Sequence, residues 1–302
     1  MSKSFSDYRE YLNPQIISRI NNLDLRARLV VEGFMVGLHK SPYHGFSVEF
    51  SQHRPYMQGD NLRSVDWRVF GKTEKYFIKQ YEEETNLRSY IILDSSKSMG
   101  YASEKTISKI EYASTLVAAL SYLMIKQQDA VSLTIYSDKI HKHLPPKSSN
   151  SYFQQILREL TILKTSSNTN TAESLNSVAE KIKRRGLVII ISDFFDDVDK
   201  TLKAIKHFAH QKNEVIIFQI LDPMERSFGF GKDAIFKDLE TDEELTTQPF
   251  QIQKAYQEAM SEFTNKIKRE CLNSNFDYNL LDTSTPFDKA LFSYIQKRSR
   301  LH

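Results

Sequence analysis

The sequence predicts an α/β protein built on a doubly wound, mostly parallel sheet. Two observations predict it. Uninterrupted apolar runs of strand length lie at residues 90–93 and 187–191, with a mostly apolar one at 215–221. Such short runs read as strands buried on both faces, as in a parallel sheet. Between and after them lie longer stretches with apolar residues at helical spacing, and strands alternating with helices give a sheet covered on both sides.

The bulk composition excludes several classes. The chain has 302 residues, 40% hydrophobic and 26% charged, ordinary values for a globular protein with one large or two modest cores. A formal net charge of +3 does not demand nucleic acid or an acidic membrane surface. The single cysteine, Cys271, allows no internal disulfide and fits a reducing compartment. No apolar run approaches the roughly 20 residues of a spanning helix. The opening MSKSFSDYRE lacks the apolar core of a signal peptide, so the expectation is a cytoplasmic protein without a membrane span.

Taken in order, residues 13–32 carry Ile16, Ile17, Ile20, Leu23, Leu29 and Val30 at helical spacing, with Arg19, Arg26 and Arg28 interleaved. This reads as an amphipathic helix packed on its own protein, since a basic helix face is usually solvated. Residues 33–88 are punctuated by Gly33, Gly37, Gly45, Gly59 and Gly71 and read as short strands and turns. Residues 1–88 thus form a smaller N-terminal module, and 89–302 the α/β domain. In that domain Ile107, Ile110, Ala113, Leu116, Val117, Leu120, Leu123 and Met124 form a helical stripe. Val131, Leu133 and Ile135 alternate like a half-covered strand. Helices are predicted over 150–160, 171–184, 197–210, 251–272 and 287–298, and a short strand over 278–281. Residues 234–250 interrupt the alternation and read as a hairpin turning at Thr241-Asp242-Glu243; its carboxylates, Asp238, Glu240, Asp242 and Glu243, read as a solvated turn.

The candidate site lies where the run 90–93 ends. Asp94, Ser96 and Ser98 are spaced two apart just past a predicted strand, which is where ligands bind in open α/β sheets. All three offer hard oxygens of the kind Mg²⁺ takes. The plainer reading of the same residues is a turn and helix N-cap. The string D-x-S-x-S resembles the metal-ion-dependent adhesion site of von Willebrand factor type A domains. Upstream, Arg54, Tyr56, Gly59, Asp60, Arg63, Asp66 and Trp67 fall in order on an R-x-Y-x-x-G-D-x-x-R-x-x-D-W block. That block, followed by KQYEEE and IILDSSKSM, resembles the bacterial domain of unknown function 58 family. By itself the Asp66-Trp67 pair reads as a capping carboxylate and an aromatic anchor for the N-terminal module.

The resemblance implies a type A fold from residue 89 onward and a Mg²⁺ or Mn²⁺ site completed by two later residues. NTNTAESL resembles the threonine loop, with Thr169 the matching ligand and Thr171 its substitute in a shifted register. Asp193, at the end of VIIISD, matches the second aspartate. The implied arrangement has Ser96 and Ser98 as direct ligands, with Thr169, Asp94 and Asp193 bonding directly or through water. One position stays open for an Asp or Glu from a protein partner. Longer relatives carry two N-terminal membrane helices, which this sequence lacks. In the family such proteins are typically encoded beside MoxR-type AAA+ ATPases, which implies an adaptor or co-chaperone role.

Other chemistries find less in the residues. Position 96 is Ser, so the D-x-D of phosphoaspartate enzymes is absent, as are G-x-S-x-G and a phosphate loop. A metal-dependent hydrolase using Asp94 and Asp193 is the enzymatic alternative. Lys181, Lys183, Arg184 and Arg185, and Lys297, Arg298 and Arg300, are the clusters a nucleic-acid-binding alternative would use. Both lie near helix C-termini, where cations complement the dipole. His141 with His143, and His207 with His210, read as surface residues and not as zinc ligands. The expectation is therefore a non-catalytic interaction protein, and the resemblance implies that it is a Mg²⁺-dependent adaptor.

Overall fold

A computed structural model of the chain describes residues 12–39, 53–55, 70–71, 75–79, 87–104, 106–166, 170–229, 234–237, 244–247 and 249–299. The first elements are a short helix, α1 (Pro14–Ile17), capped by Asn13, and a long one, α2 (Leu23–His39). The expectation of turns from residue 33 is corrected here, because α2 continues through Gly33 and Gly37. Ala27, Val30, Val31 and Phe34 recur at helical spacing on its buried face. Burying that face offsets the entropic cost of the glycines. Gly33 also serves packing, since a Cβ there would stand 3.3 Å from Leu12 Cδ2.

Strands β1 (His53–Pro55) and β2 (Phe77–Lys79) pair antiparallel, with Arg54 opposite Ile78. Of the family block only Arg54 lies in a described strand; Tyr56, Gly59, Asp60, Arg63, Asp66 and Trp67 lie outside the described residues. The α/β region follows. It comprises β3 (Arg88–Asp94), α3 (Lys109–Lys126), β4 (Ala130–Tyr136), β5 (Ile140–Lys147), α4 (Asn150–Thr161), α5 (Thr171–Lys181) and β6 (Leu187–Ser192). Next come α6 (Val198–His210), β7 (Glu214–Leu221), α7 (Pro223–Ser227), β8 (Ala234–Lys237), β9 (Glu244–Thr247), α8 (Pro249–Asn273), β10 (Asp277–Asp282) and α9 (Asp288–Ser299).

Six strands form the main sheet in the order β10-β7-β6-β3-β4-β5, parallel except for β5. Only three residues separate β4 from β5, too few for a crossover, so β5 must run antiparallel. Its register slips at Pro145 and Pro146, which cannot donate to a ladder. The predicted hairpin is present as β8 against β9, Ala234 opposite Thr247, and forms its own two-stranded sheet. Residues 249 and 250, expected within it, begin α8 instead.

Alternation along the strands divides the core. Ile91, Leu93, Ile189, Ile191, Phe218 and Ile220 pack with α2, α3, α4 and α9 on one face. Ile92, Val188, Ile190, Val215 and Ile217 pack with α5, α6 and α8 on the other. Leu12, Ile17, Val30 and Phe34 belong to the first of these clusters, so the N-terminal helices share the core of the sheet. Each strongly buried aliphatic contributes about 1.5–3 kcal/mol by leaving water.

Gly186, at the entrance to β6, marks the tightest backbone approach. A Cβ there would lie 2.2 Å from the Arg88 carbonyl oxygen and 2.9 Å from Tyr90 Cε2. Its N–H donates to Asn213 Oδ1 and its carbonyl accepts from Glu214 N, so the backbone has no room to retreat. Gly186→Ala is expected to destabilise the protein by about 3 kcal/mol, as overpacking does. Chemical denaturation measures it, and a midpoint equal to the wild type would show that β3 and β6 tolerate a wider spacing.

Candidate functional site

The strand order reverses direction at β3. The chain leaves β3 for β4 on one side and later returns to β6 on the other. The connection after β3 leads to α3 on one face and that after β6 to α6 on the other, and between two such strand ends is where open α/β sheets bind ligands. Asp94 ends β3, Ser192 ends β6, and Asp193 follows it.

Asp94 is 1% exposed. Its Oδ1 accepts the Ser96 N–H at 2.8 Å and its Oδ2 accepts the Ser192 hydroxyl at 2.6 Å. Among the described residues no Lys, Arg or His nitrogen pairs with it. Burial, and after it the neighbouring Asp193 charge, push its carboxyl up to about 7. Ser96 Oγ and Ser98 Oγ lie 3.0 Å apart, on either side of the start of a 3-10 turn spanning Lys97–Gly100. Across the ladder from Asp94 stands Tyr136. Its buried hydroxyl, beside Ser192, makes no well-aligned hydrogen bond among the described residues, and burial raises its ionisation well above the ordinary range.

The threonine loop is fastened on both flanks. Ser166 bridges to Ser96 and donates its N–H to the Ser95 carbonyl at 2.9 Å. Asn170 donates its N–H to the Ser137 carbonyl, and its side chain caps α5. Thr169 itself lies outside the described residues. Thr171 is the buried first residue of α5, and its N–H donates to Asp196 Oδ2 at 2.8 Å.

Asp193 is not placed like Asp94. Its Oδ2 binds Lys109 Nζ at 2.8 Å and its Oδ1 accepts the Phe195 N–H at 3.1 Å. Lys109, the first residue of α3, is fully buried and also binds Glu225 Oε1 at 2.6 Å. Burial works against its charge, but the two carboxylates outweigh it and raise its ionisation. Glu225 is fixed in turn by a capping box. Its Oε2 accepts the Asp222 N–H at 2.7 Å, and Asp222 Oδ1 accepts Met224 N–H at 2.8 Å. Asp222 Oδ2 receives Thr106 Oγ1 at 2.6 Å and Ser103 Oγ at 3.1 Å. The loops after β3, β6 and β7 are therefore joined through buried polar groups.

Sequence reasoning missed Lys109 and Glu225. The signal was present: positions 109, 113, 116 and 120 share one face of α3, and Lys109 is the charge on an otherwise apolar stripe. A lysine there requires buried carboxylates. The other candidates do not converge. His141 Nε2 meets Ser137 Oγ at 2.6 Å, His143 Nδ1 meets Thr134 Oγ1 at 2.9 Å, and His207 and His210 sit exposed at the end of α6. Among the described residues no three His, Cys, Asp or Glu side chains are grouped to hold a metal. Lys297 pairs with Glu214 and Asp277, and Arg298 with Asp129, so these cations brace α9 against the sheet. Arg300 lies outside the described residues.

The family model "Protein of unknown function DUF58" matches residues 52–266. Uncharacterized proteins of Mycobacterium bovis and Mycobacterium tuberculosis are each 22% identical over 234 residues, spanning 76% of this chain and 72% of theirs. Similar solved structures include conserved hypothetical protein BatB from Bacteroides thetaiotaomicron, 17% identical with a TM-score of 0.48 over 72% of this chain and 100% of that one. An aerotolerance-related membrane protein from Bacteroides fragilis is 20% identical, TM-score 0.47, over 70% and 99%. The SpRpn10 VWA domain is 11% identical, TM-score 0.43, over 69% and 94%. Among the described residues no helix is long and apolar enough to cross a membrane.

The raised Asp94 carboxyl has a consequence for stability. Between pH 4 and 7 the unfolded chain releases this proton more readily than the folded one, so folding stability falls as pH rises through that window. In metal-free buffer at pH 7.5, Asp94→Asn is expected to stabilise the protein by about 2 kcal/mol. The gain should vanish near pH 4, where the folded carboxyl is already protonated. Thermal melts at the two pH values measure it, and a variant less stable than wild type at pH 7.5 would show that the Asp94 charge is already compensated.

Proposed function

The chain belongs to the DUF58 family of proteins of unknown function, and from that premise we propose that it is a non-catalytic protein-interaction module. Its contact face is organised by a divalent cation, Mg²⁺ or Mn²⁺. The observation that carries the reading is Asp94: a buried carboxylate at the strand-order reversal, with no cationic partner among the described residues and the Ser96 and Ser98 hydroxyls close by. Hard oxygens in this proportion fit a small cation that keeps several waters.

Asp94, Ser96 and Ser98 hold the cation, and Thr169 is the proposed fourth contributor. Ser192 fixes the Asp94 carboxylate, and the Tyr136 hydroxyl, without a well-aligned partner among the described residues, is available to orient it or a bound water. The cation, when bound, supplies positive charge that one carboxylate and neutral hydroxyls under-compensate. A partner presenting an Asp or Glu answers that charge. An exposed ion pair alone contributes about 0–1 kcal/mol, so specificity at this face needs the partly desolvated ion. The family resemblance makes a MoxR-type AAA+ ATPase the proposed partner and adaptor or co-chaperone the proposed role. The hydrolase alternative is weakened by Asp193, the carboxylate it would need as a base, which is bound to Lys109. The nucleic-acid alternative is weakened by the ion pairs that Lys297 and Arg298 already make.

Calorimetric titration with Mn²⁺ tests the site. Wild type should bind one ion, and Asp94→Ala should abolish binding, because a small hard cation loses the buried carboxylate beside Ser96 and Ser98. Equal binding by both proteins would sink the assignment. Co-purification with the ATPase in Mg²⁺ and then in EDTA tests the partner. Ser98→Ala should mimic EDTA, and a complex that survives both conditions would move the contact to another face.

A further inference from the structure

Lys109 is a buried ammonium with two committed bonds. One goes to Asp193 Oδ2 at 2.8 Å and one to Glu225 Oε1 at 2.6 Å. The Phe195 ring lies 4.7 Å from its nitrogen, which leaves it little freedom to swing away. The second Asp193 oxygen is occupied by the Phe195 N–H. The same loop thus holds the cation–π ring and the carboxylate, and both face Lys109. Asp94, one strand away, has no such counter-charge among the described residues. Two aspartates that the sequence pattern treats as equivalent are therefore electrostatically different.

We infer that Lys109 is a positioning residue that reserves Asp193, holding it one bond away from a cation at Asp94 and leaving that cation short of negative charge. The inference rests on the metal reading above and deepens it. Glu225 is part of the device. With Asp193 alone, Lys109 would be an evenly matched pair. With two carboxylates on the ammonium, the group keeps a net negative charge that attracts a cation without either carboxylate being free to ligate it. The capping box on α7 and the Asp222 bonds to Ser103 and Thr106 hold Glu225 in register with Lys109. A cation placed beside this group keeps its charge available to an incoming carboxylate.

A structural brace would use the same bonds, so the test must separate the two roles. Mn²⁺ affinity is measured for wild type, Asp193→Asn, the paired variant Lys109→Met with Glu225→Gln, and that pair combined with Asp193→Asn. The paired variant removes one charge of each sign, and a thermal melt checks that it folds. Released from Lys109, Asp193 becomes available to the cation, so the pair should bind Mn²⁺ about tenfold tighter than wild type. Asp193→Asn should cost about tenfold or less in the wild-type background, as outer groups do, and about a hundredfold in the paired background. Equal costs in both backgrounds, or a paired variant that binds no tighter, would reduce Lys109 to a brace and overturn the inference. If the pair does not fold, Asp193→Asn alone decides. Retained binding supports the inference, and loss as complete as in Asp94→Ala overturns it. Wild type that binds no Mn²⁺ defeats the metal reading as stated. If the paired variant then gains a site that Asp193→Asn removes, Lys109 still withholds Asp193; if the pair also binds nothing, both fall.

Discussion

Two carboxylates at the ends of adjacent strands cannot both be buried and ionised without positive charge nearby. That constraint shapes the top of this sheet. Asp94 and Asp193 lie at the ends of β3 and β6, and their charges repel. One is answered from within by Lys109, at the start of α3. Among the described residues the other is answered by dipoles alone, the Ser96 N–H and the Ser192 hydroxyl. Desolvation of an unpaired charge is costly, and a carboxyl so placed shifts its ionisation or recruits a cation. The asymmetry between the two aspartates is thus the feature from which the chemistry of the face follows.

Everything below the face serves to hold these strand ends in register. The central strands are sealed between two helical layers, with side chains alternating between the clusters. Gly186 lets β6 approach Arg88 and Tyr90 closely enough to keep Asp193 beside Asp94. On the far side of the molecule, partly buried ion pairs at Lys297 and Arg298 hold α9 to strands and turns at the opposite end of the sheet. Such pairs cost desolvation and contribute geometry more than net stability.

Much of this was legible in the residues, and what was not has physical reasons. Mostly apolar runs announced β3, β6 and β7 because a doubly covered strand has no solvated face, even where a buried polar residue such as Gln219 interrupts it. The spacing of Asp94, Ser96 and Ser98 announced a turn of convergent oxygens, and these do lie together. The extent of α2 was hidden because Gly33 and Gly37 speak for turns locally, while the buried face that overrides them depends on partners distant in sequence. Lys109 was hidden for the same reason: its meaning lies in Asp193 and Glu225, 84 and 116 residues away. Strand β5 was obscured because its prolines and lysines argue against a central strand. Thr169 and the block from Tyr56 to Trp67 fall outside the described residues.

The prolines of β5 carry a further meaning. β5 is the outermost strand on its side of the sheet, and an edge strand normally offers a row of free N–H and C=O groups on which another chain can template. Pro145 and Pro146 contribute no N–H, the register slips beside them, and Lys142 and Lys147 add charge to the same strand. An extended peptide laid along this margin would find its ladder broken after a few residues. The sheet is therefore closed to lateral growth on that side, which guards a strongly aliphatic core against self-association.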